Sequence, residues 1–75
     1  MAQATKITLN VTNENVEEVQ RIARELETTR TQVINDSIAL AGFLYAQRKR
    51  GATVMVRDRW GNYREVTWGF VGADA

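Results

Sequence analysis

Lys6-Ile7-Thr8-Leu9-Asn10-Val11 is the stretch whose reading decides the fold. Ile7, Leu9 and Val11 alternate with Lys6, Thr8 and Asn10 without a fault, which is the period-2 signature of a half-buried strand. Its polar face offers Lys, Thr and Asn, side chains that can read the edges of base pairs. No second strand follows nearby, and the next patterns are helical. A lone strand ahead of two helices needs a partner, and its own copy from a second chain is the simplest one.

Immediately after the strand, Thr12-Asn13-Glu14-Asn15 reads as a helix start. Thr12 or Asn13 can cap, and Glu14, Glu17 and Glu18 fall in the first turns, where the helix dipole favours acids. Val16, Val19, Ile22, Ala23 and Leu26 recur at threes and fours and make one apolar stripe. The charged residues lie largely off that stripe, with Glu17 and Arg21 as the expected i,i+4 pair. Glu27-Thr28-Thr29-Arg30 breaks the stripe. Thr29 followed by Gln32 has the capping-box spacing, so a second helix should begin near Arg30. Val33, Ile34, Ile38, Leu40, Ala41, Phe43, Leu44 and Tyr45 then occupy more than one face, as suits a helix packed against two neighbours. Gly42 within it serves a close helix approach or is simply tolerated. Arg48-Lys49-Arg50-Gly51 closes the helix, with cations at its negative end and Gly just past it. That structural role outweighs a DNA-binding one for the cluster.

From Ala52 the period returns to two. Val54 and Val56 alternate with Met55 and Arg57, and Val66 and Trp68 alternate with Glu65 and Thr67. Asp58-Arg59-Trp60-Gly61 between them fits a type I turn with Gly61 in the left-handed position, which predicts a hairpin. Pairing across it should place Val54, Val56, Val66 and Trp68 on one face, docked on the helices. Met1 to Ala4 and Gly69 to Ala75 carry no clear pattern and read as loose ends.

The totals bound what such a chain can do. Seventy-five residues bury a marginal core unaided. There is no Cys and no His, so disulfides and most metal sites are excluded and oligomerisation remains as the stabilising device. No apolar run approaches a membrane span and no signal peptide opens the chain, so a cytoplasmic location is expected, without membrane contact. The net charge is only +1, so any grip on nucleic acid must come from local placement rather than bulk charge. Enzymatic activity is not expected. The carboxylates lie mostly on a solvated helix face, and Ser37 is mid-helix with no base beside it. No cofactor is implied.

Strand, amphipathic helix, short turn and broadly apolar helix together resemble the ribbon-helix-helix family of MetJ/Arc/CopG-type transcriptional repressors. The matching stretches are Lys6 to Val11, Val16 to Leu26, and Thr29-Arg30-Thr31-Gln32-Val33-Ile34. The resemblance implies an α+β ribbon-helix-helix homodimer, in which an intermolecular antiparallel β-ribbon is backed by two helices per chain. It covers residues 1–51, and residues 52–75 would be an added C-terminal β-hairpin. It further implies that the ribbon enters the major groove of double-stranded DNA. Lys6, Thr8 and Asn10 would then contact bases, while the first turn of the second helix, at Thr29, Arg30 and Thr31, would hold a phosphate. An anion site at a helix N-terminus is expected on physical grounds as well. Where the family usually has a glycine in the turn, this chain has Glu27. A side chain in a left-handed conformation is strained, and an acid there weakens a phosphate clamp.

The expected function is therefore a dimeric, sequence-specific repressor of an inverted-repeat operator. The alternative is a protein-binding module on the same dimer, such as a toxin-neutralising antitoxin or a hairpin-mediated adaptor. Trp60 at the turn, with Arg59 and Tyr63 close by, is the expected contact to a second dimer on tandem sites or to a protein partner. Arg59 could instead touch flanking phosphates.

Overall fold

The computed structural model describes residues 3–72. The two loose ends expected from the sequence therefore fall partly outside the described residues. The chain is a small α+β protein with helices α1 (Asn13–Glu25) and α2 (Arg30–Lys49), followed by strands β1 (Met55–Arg57) and β2 (Tyr63–Glu65) in one antiparallel sheet. It divides into two compact units, Met1–Ile34 and Asn35–Ala75, with the boundary inside α2. No helix among the described residues is long and apolar enough to cross a membrane.

In the first unit Thr12 starts α1. Its Oγ1 accepts from the Asn15 N–H at 3.2 Å and its carbonyl from the Val16 N–H at 2.9 Å. Along the apolar stripe Ala23 is buried and Val16, Val19 and Ile22 are half-buried, while Val33 is buried at the start of α2. The charged face differs from expectation. Arg21 pairs not with Glu17 but with Glu18, at 2.7 Å from Nε, and with Glu25, at 3.3 Å from Nη1. Helix geometry explains the choice. Glu18 and Glu25 stand roughly 60° and 40° to one flank of Arg21, whereas Glu17 stands about 40° to the other. One guanidinium leaning one way can bridge the first two and cannot also reach the third. Glu18 first, and then Glu25, raise the Arg21 pKa above its ordinary value. All three side chains remain at least half exposed, so the network adds little stability.

Both helices end on the same motif. At α1 the Thr28 N–H donates to the Ala23 carbonyl (2.9 Å) and the Glu27 N–H to the Arg24 carbonyl (3.2 Å). At α2 the Ala52 N–H donates to Gln47 and the Gly51 N–H to Arg48, each at 3.0 Å. These paired bonds define Schellman ends, which require a left-handed residue just past the helix. Gly51 supplies it at φ 85°, as its sequence position predicts; at α1 it is Glu27, at φ 54°. A side chain in that conformation costs about 1–2 kcal/mol, against which glycine's extra freedom in the unfolded chain must be set. Glu27→Gly should therefore stabilise the fold by about 1 kcal/mol and raise the melting temperature by roughly 4–8 °C. A thermal melt showing no gain would mean that the turn is not strained.

In the second unit β1 and β2 pair with Met55 opposite Glu65, Val56 opposite Arg64 and Arg57 opposite Tyr63. The Val66 N–H extends the ladder to the Val54 carbonyl at 2.8 Å. The expected turn forms: the Gly61 N–H donates to the Asp58 carbonyl (3.1 Å), and Gly61 has φ 86°. Val54, Val56 and Val66 share a face as expected, but Arg64 shares it too, and β2 stops before Trp68.

The segment after β2 corrects the sequence reading of a loose end. Trp68 and Val71 exchange two backbone hydrogen bonds, each 2.8 Å, around a tight Gly69-Phe70 turn with Gly69 at φ 55°. Val71 is buried, and the Phe70 ring meets Tyr45 of α2 edge-on, with centroids 5.6 Å apart. Gly72, at φ 77°, lies so close to the residues just after β2 that an added Cβ would collide with the Val66 carbonyl and approach the Thr67 Cα to 2.9 Å.

Very little is buried in one chain. Among the described residues Ala23, Val33 and Val71 are the buried apolar ones, while Ile38, Leu40, Phe43 and Tyr45 of α2 are all half exposed or more. Gly42 faces open space. The breadth of the apolar pattern on α2 is thus real in sequence and unmet within the single chain.

Candidate nucleic-acid interface

Residues 3–11 lead into α1 without regular secondary structure, and no backbone hydrogen bond among the described residues ties Lys6–Val11 to another segment. The expected strand is thus not formed in one chain, because a strand is defined by its ladder and the ladder needs a second edge. Lys6, Thr8 and Asn10 are exposed, and so are the residues between them: Ile7 by 70%, Leu9 by 60% and Val11 by 40%. An alternating stretch that stays wet on both faces leaves its apolar half unused.

The far end of this stretch meets the start of α2. Val11, Val16, Val19, Arg30, Thr31 and Ile34 line one concave surface of about 270 Å³. Two of the three residues expected to hold a phosphate are therefore beside the strand's last apolar residue. Local sequence explains how they are held. Thr29 caps α2, its Oγ1 accepting from the Gln32 N–H at 3.0 Å and its carbonyl from the Val33 N–H at 3.1 Å. The first intrahelical bond is donated by Val33, so the N–H groups of Thr29 and Arg30 stand ahead of the ladder. That is the arrangement that attracts anions. No acid lies in the first turn of α2, and the Arg30 side chain is exposed there. Glu27, two residues before the cap, is the opposing charge.

Arg59, Trp60 and Tyr63 belong to the other unit, at the tip of the hairpin. The Arg59 guanidinium lies 5.4 Å from the centre of the Trp60 ring, and Tyr63 pairs across the ladder with Arg57 immediately below the turn. The residue that organises this tip is Asp58, which the sequence reading did not single out. Its Oδ1 accepts from both the Trp60 and the Asn62 N–H, each at 2.9 Å. The signal was present, since an Asp opening a turn commonly bonds the backbone two residues on. No family model, curated protein or solved structure matches the chain.

Proposed function

We propose that the chain is one protomer of a ribbon-helix-helix homodimer that binds double-stranded DNA and acts as a transcriptional repressor. The observation that carries this reading is the alternating Lys6–Val11 stretch, exposed and unpaired in one chain and running directly into the Thr12 cap of α1. Pairing with its own copy satisfies the ladder, turns Ile7, Leu9 and Val11 onto the helices, and leaves Lys6, Thr8 and Asn10 outward on a two-stranded ribbon. Such a ribbon fits the major groove. Lys6 suits guanine O6 and N7, Asn10 suits adenine N6 and N7, and Thr8 suits a thymine methyl or a base edge. The N–H groups at the start of α2, with Arg30, hold a phosphate and set the register without reading sequence. The two-fold axis of the ribbon requires a symmetric site. Selection of bound duplexes from a random pool should return an inverted repeat, and a pool without symmetric enrichment would reject the reading.

A protein-binding module on the same dimer is the second reading, and the exposure of Trp68, at 82%, is what favours it. In that case the same selection returns no enriched sequence.

A further inference from the structure

The hairpin tip has a composition and a rigidity that the ribbon reading does not use. Two exposed aromatic rings, Trp60 (76%) and Tyr63 (64%), stand within a few residues of two exposed arginines, Arg57 and Arg59. Arg57 and Tyr63 form the last cross-strand pair, and Arg59 and Trp60 occupy the turn directly above it. The one acid of the turn is occupied inward. Both the Trp60 and Asn62 N–H groups donate to Asp58 Oδ1, the Asp58 N–H donates to the Asn62 carbonyl at 2.9 Å, and Gly61 takes the left-handed position. Asp58 also lines the opposite, Val56–Arg64 side of the hairpin. The tip is therefore a fixed loop that presents guanidinium and aromatic surface together.

We propose that this tip is a second binding site, for nucleic acid with unpaired bases. Aromatic rings stack on any base, because every base has a π face, and neighbouring guanidinium groups pair with the phosphates between stacked bases. Charge argues against the tip meeting a copy of itself, since juxtaposed Arg57 and Arg59 pairs would repel. The loop is already ordered by its own hydrogen bonds, so little conformational freedom is lost on binding. Tyr63 and Trp60 supply the stacking surface, and Arg57 and Arg59 supply the salt-dependent part of the affinity.

The site is tested in the full chain with a fluorescein-labelled oligothymidine and an unlabelled copy. In a Trp68→Phe background Trp60 is the remaining tryptophan, and its fluorescence should be quenched saturably by the unlabelled strand. Trp60→Ala should weaken binding, read by anisotropy, by about ten- to a hundredfold, while Trp60→Phe retains most of it. Arg57→Ala and Arg59→Ala should each flatten the dependence of log affinity on log salt by about 0.7. The triple variant Lys6→Ala, Thr8→Ala, Asn10→Ala should bind the oligothymidine as the parent does, so failure of the ribbon reading and failure of this one are read separately. Unquenched Trp60 at saturating strand, or equal affinity for the Trp60→Ala and parent chains, overturns the proposal.

Discussion

Leu9→Asp should leave the protein without a cooperative thermal transition at micromolar concentration, whereas Thr8→Asp should melt as a folded dimer. The two positions are adjacent, and only the side of the strand differs. In one chain Leu9 is 60% exposed, so in the proposed dimer its contribution to folding comes from the partner's surface. Burying it contributes about 1.5–3 kcal/mol, and two-fold symmetry counts the loss twice. The substitution also places two carboxylates in an apolar layer with no counter-charge. Against a typical total stability of roughly 5–15 kcal/mol, that loss is decisive. The parent chain should show a melting temperature that rises with protein concentration. Circular dichroism and sedimentation together check the result. If Leu9→Asp melts like the parent and at the same mass, the Ile7–Val11 face is not an interface.

The second large effect is on recognition. Replacing Lys6, Thr8 and Asn10 together by Ala should lower affinity for the selected duplex by about a thousandfold while leaving the melt unchanged. Each direct base contact is worth about 1–3 kcal/mol of discrimination, and the proposed dimer would make each one twice. A thousandfold is thus a lower bound after allowance for non-additivity. Arg30→Ala is the control. It should weaken all duplexes alike and flatten the salt dependence, because a phosphate contact positions the protein without reading sequence. A triple variant that binds its best site as tightly as the parent would remove the ribbon as the reader.

The helix borders were legible because single residues set them. Thr12, the Thr29–Gln32 spacing and Gly51 mark α1 and α2 to within a residue, and Asp58 to Gly61 marks the hairpin turn. These are local rules, satisfied within four residues. Glu27 in the left-handed slot was legible through the family resemblance and is met in the structure. What was not legible depended on a choice between near-equal neighbours or on contact at a distance. Arg21 had acids on both flanks, and which flank it leans to cannot be read from spacing. Gly69 to Gly72 looked patternless because a two-residue turn leaves no period, and Gly72 matters only through its approach to the Val66 carbonyl. The stretch Lys6–Val11 is the converse case, since its alternating pattern is plain in sequence while no backbone hydrogen bond among the described residues pairs it within one chain.

Glu27 has a genetic consequence. Every glutamate codon becomes a glycine codon by one base change, so the strain at the end of α1 can be relieved in a single mutational step. The relief is local to the turn and should add to losses elsewhere, provided those sites lie more than about 7–10 Å away and share no partner with it. Chains weakened by quite different substitutions should then regain folding through the same second-site change. A reversion screen begun from several unrelated destabilised variants should return glycine at position 27 repeatedly, as a suppressor indifferent to the lesion it corrects. The cost of the repair falls elsewhere: removing the acid also changes the charge beside the α2 N-terminus, so under the proposed DNA-binding function such revertants should hold phosphate more tightly and distinguish less sharply between operator and bulk DNA.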